Sequence, residues 1–150
     1  FEMALACDVL IGSDKARFAD THARVGILPG WGLSQRLSRL IGLSRAKEIH
    51  FTGAPVFAQQ AYDWGLLNHV VSEDELLPLA ISMAEDMVAC VPHTLLAYKP
   101  LIDDGFSMSL AEALPWEEGL AIESAQKTMA EMIAMRKDSV LAKGRSETDE

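Results

Sequence analysis

The fifteen residues Phe18-Ala-Asp-Thr-His-Ala-Arg-Val-Gly-Ile-Leu-Pro-Gly-Trp-Gly32 constrain this chain more than any other stretch. A strand-like piece and the ionisable His22 run into a turn region, Gly26 to Gly32, that holds three glycines and one proline. The next nine residues have helical spacing: Leu33, Leu37, Leu40 and Ile41 share one face, with Gln35, Arg36 and Arg39 elsewhere. Gly42 stops that helix. Upstream, Glu2 stands near the start of an alanine-rich helical run, so Glu2 and His22 read as two halves of one acid/base site on loop-to-helix junctions.

Around this centre the chain divides in two. Residues 1–71 mix short strands with short helices. Glu2 to Ala6 reads as the end of a helix, Asp8–Ser13 as a buried parallel strand and Ala16–Asp20 as a second strand. Ser44 is the expected cap of a helix reaching Thr52 and ending at Gly53; a further helix spans Phe57–Trp64 and ends at Gly65; Leu66–Val71 reads as a strand. Residues 72–150 read as almost wholly helical. Ser72 and Glu75 form a capping box, and Leu76, Leu79, Ala80, Met83 and Met87 make an apolar stripe in a helix that ends before Pro92. Pro100 and Pro115 are expected to break or restart the helices that follow. Leu110, Leu114, Leu120, Ala121 and a Met129/Met132/Ile133 cluster continue the stripes, and Lys143–Glu150 is expected to fray.

At 150 residues the chain is long enough for one sizeable core. Its net charge of −9 argues against a long basic groove for nucleic acid. No apolar run approaches the ~18–20 residues of a membrane span. Cys7 and Cys90 match no metal spacing and read as buried thiols of a reducing compartment, which gives a cytoplasmic expectation. Arg36 and Arg39 read as a solvated helix face, Trp31 as a pocket wall, and Trp64 and Trp116 as core or interface residues.

The strings Phe1-Glu-Met-Ala-Leu-Ala-Cys-Asp8, Ala16-Arg-Phe18, Gly26-Ile-Leu-Pro-Gly-Trp-Gly32 and Gln35-Arg-Leu37, followed by Gly42, Ala46, Thr52-Gly53, Ala58, Ala61, Gly65-Leu66 and Val70-Val71, occur in the order and spacing of the enoyl-CoA hydratase/isomerase (crotonase) family. The chain resembles that family densely over residues 1–100 and loosely beyond. The resemblance implies an α/β fold: a crotonase-like spiral of ββα turns, here lacking its N-terminal turns, and then a helical trimerisation region. The chain, which opens inside an element, is therefore expected to be the C-terminal part of a larger protein.

The resemblance also implies chemistry. Glu2 matches the family's first catalytic glutamate. His22 falls where the second usually stands, counting back from Gly26 and Pro29-Gly30, and this is a departure from the two-carboxylate pattern. Substrate contacts are expected at Thr21, Leu28, Pro29, Gly30 and Trp31. The oxyanion-hole donors and most of the CoA pocket belong to sequence before Phe1. The implied reaction is reversible addition of water to a trans-2-enoyl-CoA, with CoA as part of the substrate and no metal or other cofactor. Alternatives are a double-bond isomerase or thioester hydrolase of the same family, a non-catalytic acyl-CoA binder, or a mainly structural role in assembly. The expected partners are an acyl-CoA thioester and further copies of the chain, as a homotrimer or dimer of trimers, with no nucleic acid and no membrane span. The 150-residue piece alone is expected to be inactive, and poorly soluble because its strands lack neighbours.

Overall fold

The computed structural model describes residues 1–128 together with 132, 133, 136 and 137. It forms two compact units, residues Phe1–Ala89 and Cys90–Glu150.

The first unit begins with one 3-10 turn, Ala4–Ala6, rather than the end of a longer helix, and Leu5 is its buried residue. Strand β1, Ile11–Ser13, pairs in parallel with β4, His69–Val71, in the register Ile11–His69, Gly12–Val70 and Ser13–Val71. Both strands are shorter than expected. Asn68 extends the ladder one step in a different way: its N–H donates to the Leu10 carbonyl at 2.7 Å, and its side-chain oxygen accepts the Leu10 N–H at 2.8 Å. Leu66 and Leu67, expected in the strand, instead fill the core before it. The second strand shrinks to β2, Arg17–Phe18, antiparallel to β3, Val56–Phe57.

Helix α1 covers His22–Val25, so His22 opens a helix and is not in extended chain. Asp20 causes the change. Its side chain accepts the His22 N–H at 2.9 Å, a two-residue turn that competes with strand geometry. Helix α2, Leu33–Ile41, has the expected bounds and buries Leu33, Leu37 and Ile41; Leu40 lies on the shoulder and is half exposed. Helix α3, Leu43–Thr52, starts directly after Gly42 and not at a Ser44 cap. Gly42, at φ +88°, ends one helix and begins the next, which leaves no room for a separate capping residue. The stretch expected as a helix from Phe57 divides into β3 and α4, Ala58–Asp63. Leu5, Leu33, Leu37, Ile41, Ala46, Ile49, Val56, Ala61, Leu66 and Leu67 make one core, with Phe1, Leu10, Phe18, Trp64 and Val70 packed at its edge. Trp64 also lies under the Arg45 guanidinium, 5.4 Å from the ring centre.

Helix α5, Glu73–Ala89, begins at the expected box: Glu75 accepts from the Ser72 hydroxyl at 2.5 Å and the Ser72 N–H at 3.1 Å. Those bonds hold the Glu75 carboxyl below its ordinary value.

In the second unit, α6 spans Pro92–Gly105 and α7 spans Leu110–Lys127. Pro100 and Pro115 lie inside these helices and break neither. The carbonyls their missing N–H groups leave belong to Leu96 and Ala111, both on exposed residues where water can serve them. Ser109 and Glu112 form a second capping box at the start of α7. Trp116 is half-buried and approaches Gly105. Met132 and Ile133 are about half exposed, whereas Met129 and Lys143–Glu150 lie outside the described residues. Both cysteines are exposed, contrary to expectation: Cys7 follows the 3-10 turn and Cys90 follows α5, each outside a packed face. Among the described residues no single helix is long and apolar enough to cross a membrane.

Candidate active site

All the site residues expected from the sequence fall in the first unit, in two groups. The first forms around Glu2. Its Oε1 accepts the Trp31 backbone N–H at 2.9 Å, across 29 positions of chain. Two contacts seat the segment carrying Glu2. The Phe1 ring tilts against Phe18 with centres 5.2 Å apart, and the Leu5 carbonyl accepts from Arg36 Nη1 at 3.5 Å. The turn can present its N–H because Gly32 takes φ +95°, a backbone conformation disfavoured for residues with a side chain. A Cβ there would also lie 3.1 Å from Arg36 Nε. Pro29 is half-buried, while Gly30 is exposed and Leu28 is 90% and Trp31 72% exposed. Val25 and Ile27, a few positions earlier in the chain, are exposed as well. Trp31 is part of an open lip and not a closed wall.

The second group forms around a residue the sequence reading missed. Asp20 is the buried charged residue among the described residues, at 3% exposure. Its Oδ1 faces His22 Nδ1 at 2.6 Å as well as the His22 N–H, and its Oδ2 faces His50 Nδ1 at 2.5 Å. His50 comes from α3, and its Nε2 is buried without a hydrogen-bond partner among the described residues. Burial pushes the Asp20 carboxyl up. The His22 backbone N–H and the hydrogen bonds from the two imidazoles outweigh it and hold the carboxyl below its ordinary 3.8. The ionised form is thus the folded form. Its contribution to stability is complete above pH 3.8 and disappears as pH falls through the lowered folded value. The stability gap between the native chain and Asp20→Asn should therefore narrow below that pH. Urea midpoints at about pH 6 and about pH 3 check this; a gap that widens in acid contradicts it.

No hydrogen bond or ion pair joins Glu2 to His22. The partner of His22 is Asp20, so the two residues read from the sequence as halves of one site are not in direct contact. Thr21 is exposed, and its carbonyl accepts the Arg24 N–H. Arg24 in turn donates from Nε and Nη2 to the Thr52 carbonyl at 3.1 and 2.7 Å, tying α1 to the end of α3. Arg39 bonds Gln35 within its own helix. The Asp20 trio is a hydrogen-bond network, with both Nδ1 atoms turned to the carboxylate. Among the described residues no set of His, Cys, Asp and Glu side chains forms a metal site.

A family model described as enoyl-CoA hydratase/isomerase matches residues 1–138. A peroxisomal protein of Arabidopsis thaliana named as a probable enoyl-CoA hydratase is 44% identical over 144 residues, which cover 91% of this chain and 54% of that protein. The short-chain-enoyl-CoA hydratase of Clostridium acetobutylicum is 36% identical, with 91% and 54% covered. Among solved structures, an enoyl-CoA hydratase from Bacillus anthracis superposes with a TM-score of 0.82 at 34% identity, covering 90% of this chain and 52% of the other. The chain spans about half the length of the relatives it matches.

Proposed function

The chain belongs to the enoyl-CoA hydratase/isomerase (crotonase) family, and from that premise we propose that the whole protein adds water reversibly to a trans-2-enoyl-CoA thioester, with Glu2 and His22 moving the protons. One observation carries this reading: the Glu2 carboxylate is held by the Trp31 N–H, on the turn that also carries the exposed apolar side chains of Leu28 and Trp31. An acyl chain suits those side chains, and a carboxylate fixed through one oxygen keeps the other for water.

In the forward direction the water oxygen bonds to the β-carbon while Glu2 takes a water proton. The alkene electron pair moves toward the thioester, whose oxygen becomes an enolate. The proton taken by Glu2 then passes by way of His22 to the α-carbon, which leaves both groups as they began. The step is redox-neutral, so no redox cofactor enters, and CoA is part of the substrate. Backbone N–H groups stabilise such an oxyanion; in this family they come from sequence ahead of the glutamate. The imidazole of His22 stands where the family has a second carboxylate and serves as the partner acid/base, since an imidazole nitrogen can both accept and release a proton. Thr21, Leu28, Pro29, Gly30 and Trp31 line the substrate's path. The helical unit takes an assembly role: the exposed Leu96, Ile102, Leu110 and Leu114 would be covered in a homotrimer or dimer of trimers.

Following the conjugated thioester absorbance of crotonyl-CoA with the whole protein tests the proposal. Loss of absorbance with water uptake supports it. Tight binding without loss favours a non-catalytic acyl-CoA binder, and migration of the double bond in a 3-enoyl-CoA favours an isomerase. His22→Ala should lower hydration turnover at least about tenfold, the lower end for a lost acid/base. Unchanged turnover would remove His22 from the chemistry.

A further inference from the structure

We infer that Asp20 is a positioning residue that holds His22 and His50 as Nδ1–H tautomers, so that His22 Nε2 is the nitrogen of the pair that exchanges protons with a ligand. The inference rests on reading His22 as an acid/base, and its test separates the two.

An ionised carboxylate has acceptors only. Each Nδ1 within hydrogen-bond distance of Asp20 must therefore carry the proton, and the tautomer follows from that bond. The carboxylate is not free to turn away. Oδ1 is already committed to the His22 backbone N–H, and Oδ2 to the imidazole on α3. The lowered Asp20 carboxyl agrees with its staying ionised through this arrangement.

The two imidazoles then differ in what lies beyond them. His50 Nε2 is buried and meets no hydrogen-bond partner among the described residues, so it offers no route for a proton to a ligand. The His22 side chain is 27% exposed. When its Nε2 takes a proton, the imidazolium keeps Nδ1–H on Asp20. The proton later leaves by the same nitrogen, and Asp20 stays ionised throughout. His50 thus anchors the carboxylate, and His22 does the exchange. Asp20 adjoins Thr21 in the chain, a residue of the proposed substrate path.

Histidine-labelled 15N spectra of the full chain read the tautomers directly. His22 and His50 should both show Nδ1–H with Nε2 bare. In Asp20→Asn the His22 signal should shift toward a mixture of tautomers. For crotonyl-CoA in the whole protein, Asp20→Asn should lower kcat at least about tenfold with KM little changed, because it alters a proton's address and not a substrate contact. An Nε2–H tautomer at His22 in the unaltered chain overturns the inference, and this measurement decides even if Asp20→Asn does not fold. A kcat unchanged by Asp20→Asn, where His22→Ala is impaired, also overturns it. Unchanged turnover in His22→Ala overturns instead the acid/base reading on which the proton exchange rests, while leaving the tautomers as measured.

Discussion

Replacing Glu2 by Gln in the whole protein should lower crotonyl-CoA hydration by about 10²- to 10⁴-fold, the range for a positioned acid/base. The substitution is chosen because it spares geometry. A glutamine carbonyl can still accept the Trp31 N–H that Glu2 Oε1 accepts at 2.9 Å, so the glycine-rich turn keeps its tether. What disappears is the capacity to take a proton from water. The loss should therefore fall on kcat, with circular dichroism and thermal midpoint unchanged. Glu2→Ala offers the contrast: it removes both proton transfer and tether, and should raise KM as well. Native-pace hydration by Glu2→Gln would end the proposal that this carboxylate drives the reaction.

Leu37→Ala should destabilise the first unit by about 2–5 kcal/mol, the usual cost of emptying a fully buried leucine site. Leu37 is 0% exposed, on the α2 face that also buries Leu33 and Ile41. Helix α2 packs against α3 and the 3-10 turn at Ala4–Ala6, and Leu37 belongs to the core they share, so refilling its space means moving another element. The same helix carries Arg36, which holds the Leu5 carbonyl behind Glu2. Weakening α2 should thus loosen the catalytic turn before the unit unfolds. Denaturant titration followed by tryptophan fluorescence gives the magnitude, and a shift worth less than about 1 kcal/mol would mean that the core closes over the gap.

The family resemblance was legible because it lies in punctuation: Pro29-Gly30, Gly42, Thr52-Gly53 and Gly65-Leu66, spaced along the chain. The match of the family model over residues 1–138 bears it out. Helix α2 was legible to the residue because its apolar period is clean and glycines bound both ends. The Ser72 box was equally plain, since its two partners are three positions apart. The strands were less so. Two- and three-residue strands carry too few alternations to set their own ends, and pairing elsewhere in the chain sets them. The Asp20–His50 contact spans 30 positions and has no local signature. Only the Asp-x-His spacing hinted that Asp20 would turn the chain at His22. Exposure of Cys7 and Cys90 was invisible for a similar reason, since a thiol's burial depends on what packs against it.

Helix α1 is four residues long, too short to be stiff by its own hydrogen bonds. Its stiffness is borrowed. The Arg24 fork grips the last carbonyl of α3, placing a cation at the negative end of that helix. Gly53 stands against the grip: a Cβ there would come within 2.5 Å of Arg24 Nε and 3.0 Å of the Asp20 carbonyl oxygen. The imidazole on α1 is consequently mounted like a tool in a vice whose jaw is another helix, and a buried glycine keeps that jaw able to close.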